Sequence, residues 1–193
     1  MRGYNLYSLF NIFISLIYSR LFHRKAKLIR LPVSIRGGKF IEFSTGFVSG
    51  RYCRIDAFGV SPNQIVFGNN CQINDSVHIA AVNHISFGNN VMIASRVFIT
   101  DHQHGIYKGM EQSKATETVS ERVISGDSVV VGDNVWIGEG VCILPGVKVG
   151  NNAIIGANSV VTRNVAEDSI VCGNPAKTIK VFCDISKRWV DYF

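Results

Sequence analysis

Thr100-Asp101-His102-Gln103-His104 places two of the chain's five histidines within three residues, beside a carboxylate. An imidazole titrates near neutrality, so such a histidine can take a proton from a hydroxyl or amine and return it to a leaving group. Asp101 is placed to orient either ring. Spacing alone leaves both His102 and His104 open as the base. The remaining histidines, His23, His78 and His84, stand apart from this cluster. The five cysteines (53, 71, 142, 172 and 183) are odd in number and form no CxxC pair. Neither a disulfide framework nor a thiolate metal site is expected. They read as small reduced hydrophobes in a cytoplasmic setting.

A repeat must position these groups. Residues 131–166 divide into six hexads: VGDNVW, IGEGVC, ILPGVK, VGNNAI, IGANSV and VTRNVA. The first position is always a β-branched aliphatic: Val131, Ile137, Ile143, Val149, Ile155 and Val161. The fifth is always small or medium: Val135, Val141, Val147, Ala153, Ser159 and Val165. An earlier run carries the same signal, with FGNN at Phe67–Asn70 and again at Phe87–Asn90. Each hexad supplies one short strand and one corner, and three make a coil of a triangular β-solenoid. The first-position side chain points inward, while Gly, Asn and Asp tolerate the positive φ of corners. A β-sandwich would show turns every 8–12 residues instead of a strict six.

The aliphatic usage agrees. Ile and Val number 45 and Leu only 7, six of them within the first 31 residues. β-Branched residues suit strands. The first 41 residues hold eight basic and no acidic side chains, so the chain's net charge of +6 describes its N-terminus and is no nucleic-acid footprint. Three parts follow. Residues 1–38 form an apolar and basic helical segment, 39–181 the solenoid, and 182–193 a C-terminal tail. Residues 105–128 lack the period and read as a protruding functional loop. The apolar stretch 4–22 is broken by Asn and Ser and is marginal as a membrane span. It is expected to lie on the inner, anionic face of the cytoplasmic membrane, or else to pack on the domain or a neighbouring subunit.

Three motifs, IASRVFITDHQHG, VVVGDNVWIGEGVCILPGVKVGNNAIIGANSVVTRNV and CGNPAKTIK, make residues 40–181 resemble the hexapeptide-repeat acetyltransferases. The maltose, galactoside and Nod-factor enzymes and the small O-acetyltransferases of O-antigen and capsule assembly are the nearest in kind. The resemblance implies a left-handed parallel β-helix, a homotrimer with sites between subunits, acetyl-CoA as acyl donor and a sugar or glycan acceptor. It favours His104 as the base, eleven residues after Ile93, with His102 as competitor. It assigns acceptor binding to Asn74, thirty residues upstream, with Asp75 and His78 as neighbouring candidates. On the donor side it implies Trp136 beside coenzyme A and backbone amides at Gly138–Glu139 for the thioester oxygen. Ala157, Thr162 and Arg163 would follow the pantetheine arm, and Lys177 and Lys180 the nucleotide phosphates. Glu139 stands where several relatives carry a small residue, which leaves a backbone role but not a side-chain one.

The implied reaction is O-acetylation of a sugar hydroxyl in surface-polysaccharide synthesis. The main alternative is N-acetylation of an amino-sugar nucleotide. A zinc hydratase on the same solenoid needs three convergent histidines, and the spacing here does not match. A non-catalytic scaffold leaves DHQH and the long loop unexplained.

Overall fold

A computed structural model describes residues 5–59 and 61–192. The chain winds about seven turns of a triangular parallel β-solenoid. One face stacks, in order, Leu28–Ile29, Val48–Ser49, Gln72–Ile73, Met92–Ile93, Trp136–Ile137, Ile154–Ile155 and Ser169–Cys172. The second stacks Val33–Arg36, Cys53–Ala57, His78–Ala81, Phe98–Thr100, Cys142–Ile143 and Val160–Val161. The third stacks Ile41–Phe43, Ile65–Phe67, Ile85–Phe87, Val129–Val131 and Lys148–Val149.

The hexad phase sets the interior. All six first-position aliphatics and all six fifth-position residues are buried, while Trp136 at a sixth position is half exposed. Each buried Ile or Val contributes about 1.5–3 kcal/mol, realised only because the next coil covers it. In the wider early coils Phe43, Phe67 and Phe87 stack in register, with centroids 5.5 and 4.8 Å apart.

Two corners use the left-handed backbone differently. Between the third and first faces stand Asn70, Asn90, Asn134, Asn152 and Asp168, with φ from 52° to 59°. Their side chains form a ladder, each amide donating to the next oxygen at 2.9–3.3 Å. Between the first and second faces the same conformation falls on Tyr52, Ser76, Arg96, Gly140 and Asn158. Tyr, Ser and Arg have no intrinsic preference for it and are held there by the stacked coils.

The solenoid's ends differ from the sequence reading. Parallel pairing starts at Leu28–Ile29, inside the segment 1–38 that composition sets apart. That first coil turns on Gly37, at φ 66°, but carries no hexad phase to reveal it. A helix, Leu6–Phe22, covers its open edge. Ser19 Oγ accepts from Ile29 N–H at 2.7 Å and Ser15 Oγ from Leu31 N–H at 3.1 Å. The serines that interrupt the apolar run are thus its buried face, and Leu6, Phe10, Phe13, Ile17 and Leu21 point outward. At the other end the described part of the expected tail 182–193, residues 182–192, does not trail away. Lys177–Cys183 runs antiparallel to Ser169–Cys172, and Arg188–Asp191 pairs onto it. The hairpin replaces a further coil and shields the edge.

Candidate active site

Phe98–Thr100 ends the second face of the fourth coil, and the chain leaves the solenoid directly after it. Asp101 is fully buried there. Its two oxygens accept the N–H groups of Val82 and Asn83 in the preceding coil, at 2.8 and 2.7 Å. His102 Nδ1 lies 3.0 Å from Asp101 Oδ1 and 3.2 Å from Thr100 Oγ1. A carboxylate only accepts, so Nδ1 carries the hydrogen and Nε2 is left with the lone pair. Phe58 meets the His102 ring edge-on at 6.1 Å.

His104 is exposed and belongs to a two-residue strand, Gln103–His104, paired antiparallel with Ile124–Ser125 at the loop's return. Its carbonyl accepts from the Tyr107 hydroxyl at 2.5 Å, and Arg122 Nη1 donates to that hydroxyl at 2.8 Å. Arg122 Nη2 also holds the carbonyls of Ala115 and Glu117. The lone arginine of the 105–128 excursion therefore ties the loop together around the His104 backbone. Tyr107 and Arg122 were missed by sequence reasoning, because the loop has no period to give them a position. At the return, a Cβ on Gly126 would fall 1.9 Å from the Asp101 carbonyl oxygen, so only glycine lets the loop close against the dyad.

His102, His104 and Ile124 line one end of a cavity of about 550 Å³ on the second face. Arg54, Asp56 and His78 line the other end. Asn74 and Asp75 lie elsewhere, at the corner between the first and second faces. Asn74 Oδ1 accepts from Gln72, and Asp75 Oδ1 accepts the Arg51 N–H at 2.7 Å, so Asp75 clamps a corner. A whole face separates both from His104 in the same chain.

The donor candidates divide in the same way. Trp136, Gly138, Glu139 and Ala157 gather at the first-to-second corner. Trp136 sits in register between Met92 and Ile154 with its ring half exposed. Gly138 N–H donates to Ile155 O at 2.8 Å and is already used. A Cβ there would meet Ala157 N and Ile155 O at 2.7 Å. Among the described residues the Glu139 amide has no such acceptor, and the Glu139 carboxylate is paired with Arg96. Thr162 and Arg163 lie exposed at the far end of the second face, beyond Val160–Val161. Lys177 is exposed, whereas Lys180 Nζ is 2.6 Å from Asp191 and committed to that pair. Catalytic roles for Cys53, Cys71 and Cys142 have no support in this geometry. Burial pushes the Cys53 thiol up to about 11 and raises Cys71 and Cys142 as well.

Residues 128–163 match the family model described as "Bacterial transferase hexapeptide (six repeats)". A protein of Escherichia coli strain K12, provisionally named as the lipopolysaccharide biosynthesis O-acetyl transferase WbbJ, is 38% identical over 189 residues, which is 97% of this chain and 95% of its own. Among solved structures, the N-acyltransferase AntD from Bacillus cereus, in complex with dTDP-4-amino-4,6-dideoxyglucose and coenzyme A, superposes with a TM-score of 0.69 at 20% identity over 81% of this chain and 80% of that one. The acetyltransferase VCA0836 from Vibrio cholerae O1 biovar eltor, complexed with acetyl coenzyme A, gives 0.60 at 24% identity, covering 83% and 69%. A galactoside acetyltransferase in complex with coenzyme A gives 0.55 at 27% identity, covering 74% and 70%. The fold shared with these structures is the left-handed parallel β-helix expected from the motifs.

Proposed function

Because this chain belongs to the hexapeptide-repeat acyltransferases, we propose that it transfers acetyl from acetyl-CoA to a hydroxyl of a sugar used in surface-polysaccharide synthesis. The observation that carries this reading is the cavity with His102 and His104 at one end, beside a relative bearing that activity in its name.

His104 takes the proton from the acceptor hydroxyl as its oxygen attacks the thioester carbonyl carbon. The tetrahedral intermediate's oxyanion is held by the Glu139 amide, which has no protein acceptor among the described residues. The C–S bond then breaks, and the imidazolium returns its proton to the thiolate. A second reading gives His102 the base role, favoured by its Asp101 contact at 3.0 Å.

The two halves of this chemistry lie on opposite edges of the second face. Five or six extended residues separate them, about 17–20 Å. One acetyl group cannot touch both, so the Glu139 corner of one copy serves the His104 corner of its neighbour. A closed ring of identical subunits supplies that arrangement, and the resemblance points to three. Asn74 lies on the same corner as Glu139 and comes to the acceptor by the same route.

No helix among the described residues is long and apolar enough to cross a membrane. The outward apolar face of Leu6–Phe22, with the basic run after it, supports contact with the inner membrane surface.

The test is acetyl-CoA turnover against lipid-linked oligosaccharides, sugar nucleotides and amino-sugar nucleotides. Acetyl ester formation that disappears in His104→Ala supports the proposal. Amide formation on an amino sugar alone would replace it with the N-acetyltransferase reading.

A further inference from the structure

On the second face, below the histidines, the solenoid buries a carboxylate that the transfer chemistry does not use. Asp56 is fully buried, on an outward-facing position of its strand. Arg54 Nε approaches its Oδ2 at 2.5 Å, Arg36 Nε its Oδ1 at 3.6 Å and His78 Nε2 its Oδ2 at 3.4 Å. Desolvation makes burying a carboxylate costly unless the charge is compensated. Here two guanidiniums compensate one anion. Burial and the neighbouring Arg54 charge push His78 downward in pKa, so it adds no charge at neutrality. The cluster is left with one positive charge in excess.

Arg54 spends its Nε on a hydrogen bond to Asp56, and Arg36 Nε faces the other oxygen as an ion pair at 3.6 Å. Among the described residues their Nη groups have no protein acceptor, and Arg36 and Arg54 are 60% and 44% exposed. Asp56 thus braces two outward-facing arginine forks in adjacent coils, a geometry suited to phosphate oxygens. Arg54 borders the same cavity as the histidines. It stands in register with His78, which stands in register with Phe98, so it lies two coils from the histidine end. Two coil spacings are about 10 Å. A carboxylate on the reacting ring itself would fall short of that distance. A phosphate on the far side of the sugar would not.

We propose that the acceptor carries a phosphate linked to its sugar, and that Arg36 and Arg54, braced on Asp56, bind this phosphate while the hydroxyl to be acetylated lies at His104. The proposal rests on the acetyl-transfer reading above and names the acceptor class. The phosphate can belong to a nucleoside diphosphate sugar or to a lipid-linked sugar, since the arginines read only the shared group.

The first test is binding of inorganic pyrophosphate to the full chain saturated with coenzyme A, which fills the donor's own phosphate contacts. Titration calorimetry on wild type, Arg54→Gln, Arg36→Gln and His104→Ala gives the result. We expect at least tenfold weaker binding in Arg54→Gln, weaker binding in Arg36→Gln and no change in His104→Ala. Absent binding in wild type, or wild-type binding in both arginine variants, overturns the proposal. Arg36→Gln sits at the first coil and removes the longer contact, so it keeps the test decisive should Arg54→Gln unfold. The second test is turnover of matched sugars with and without the phosphate. Arg54→Gln should raise KM only for phosphate-bearing acceptors, with nucleotide-linked and lipid-linked forms run separately. Equal KM in wild type for the acceptor with and without its phosphate overturns it. Arginine-dependent pyrophosphate binding without any acetyl transfer would sink the transfer reading and leave the anion site standing.

Discussion

The Asp101 carboxylate faces His102 Nδ1 at 3.0 Å while its two oxygens also hold the Val82 and Asn83 amides of the coil before. One buried group therefore locks a ring and anchors the point where the chain leaves the solenoid. Asp101→Asn keeps the shape but weakens both roles. With His104 as base, kcat should fall about 10²–10⁴-fold in His104→Ala and far less in His102→Ala. The reverse order, read from kcat at saturating acetyl-CoA, would transfer the role to the Asp101–His102 pair.

Gly138 has backbone from the next coil within 2.7 Å of where a Cβ would stand. Gly138→Ala must displace the corner that carries the Glu139 amide. Activity should drop about 100-fold or more, on the scale of losing one oxyanion donor, while the melting temperature moves only a few degrees. A variant with normal kcat/KM would remove that amide from the mechanism.

Mixing subunits tests the shared site. His104→Ala and Gly138→Ala damage opposite corners, so co-expression should restore about a quarter of wild-type activity from randomly assembled rings. Activity no higher than the sum of the parents would mean that each chain works alone.

Acidification should destabilise the fold. His78 is held below the ordinary histidine value of 6.5 by burial and by Arg54, against the upward pull of Asp56, and burial lowers His23 too. Below 6.5 the unfolded chain takes up protons that the folded chain still refuses, so stability falls as pH drops toward the folded values. The melting temperature should decline from about pH 7 to about pH 5.5, and His23→Gln with His78→Gln should flatten that slope. A slope unchanged in the double variant would place its cause elsewhere.

The asparagine ladder should behave as a spine. Asn134 at φ 57° donates to Asn152 and accepts from Asn90. Asn134→Ala loses both bonds and keeps the left-handed backbone, a cost of about 1–3 kcal/mol. Urea unfolding measures it; a change below about 0.5 kcal/mol, the size of an ordinary surface substitution, would show that the ladder is ornamental.

The interior was legible because a six-residue side of a narrow prism has few inward slots and few residues that fit them. Val131 through Val161 occupy those slots without exception. The first coil was not legible, since RLPVSIRGGKF shows no hexad phase and becomes a coil only by stacking on its neighbour. Arg36, Asp56 and His78 are spread across three coils in sequence and meet only through the register between them. DHQH was visible as chemistry, but the choice of orienting partner depended on where the loop leaves, which periodicity does not encode.

The serine-faced helix sets a height as well as a cap. Ser15 and Ser19 bind the first rung, so the membrane contact proposed above would stand the prism upright on the lipid surface. The histidines then ride three rungs above the first strand, about 14 Å further from the lipid. Arg36 and Arg54 fall between. With the membrane contact proposed above, the chain would act as a ruler, leaving hydroxyls closer to the bilayer than its fourth rung out of reach.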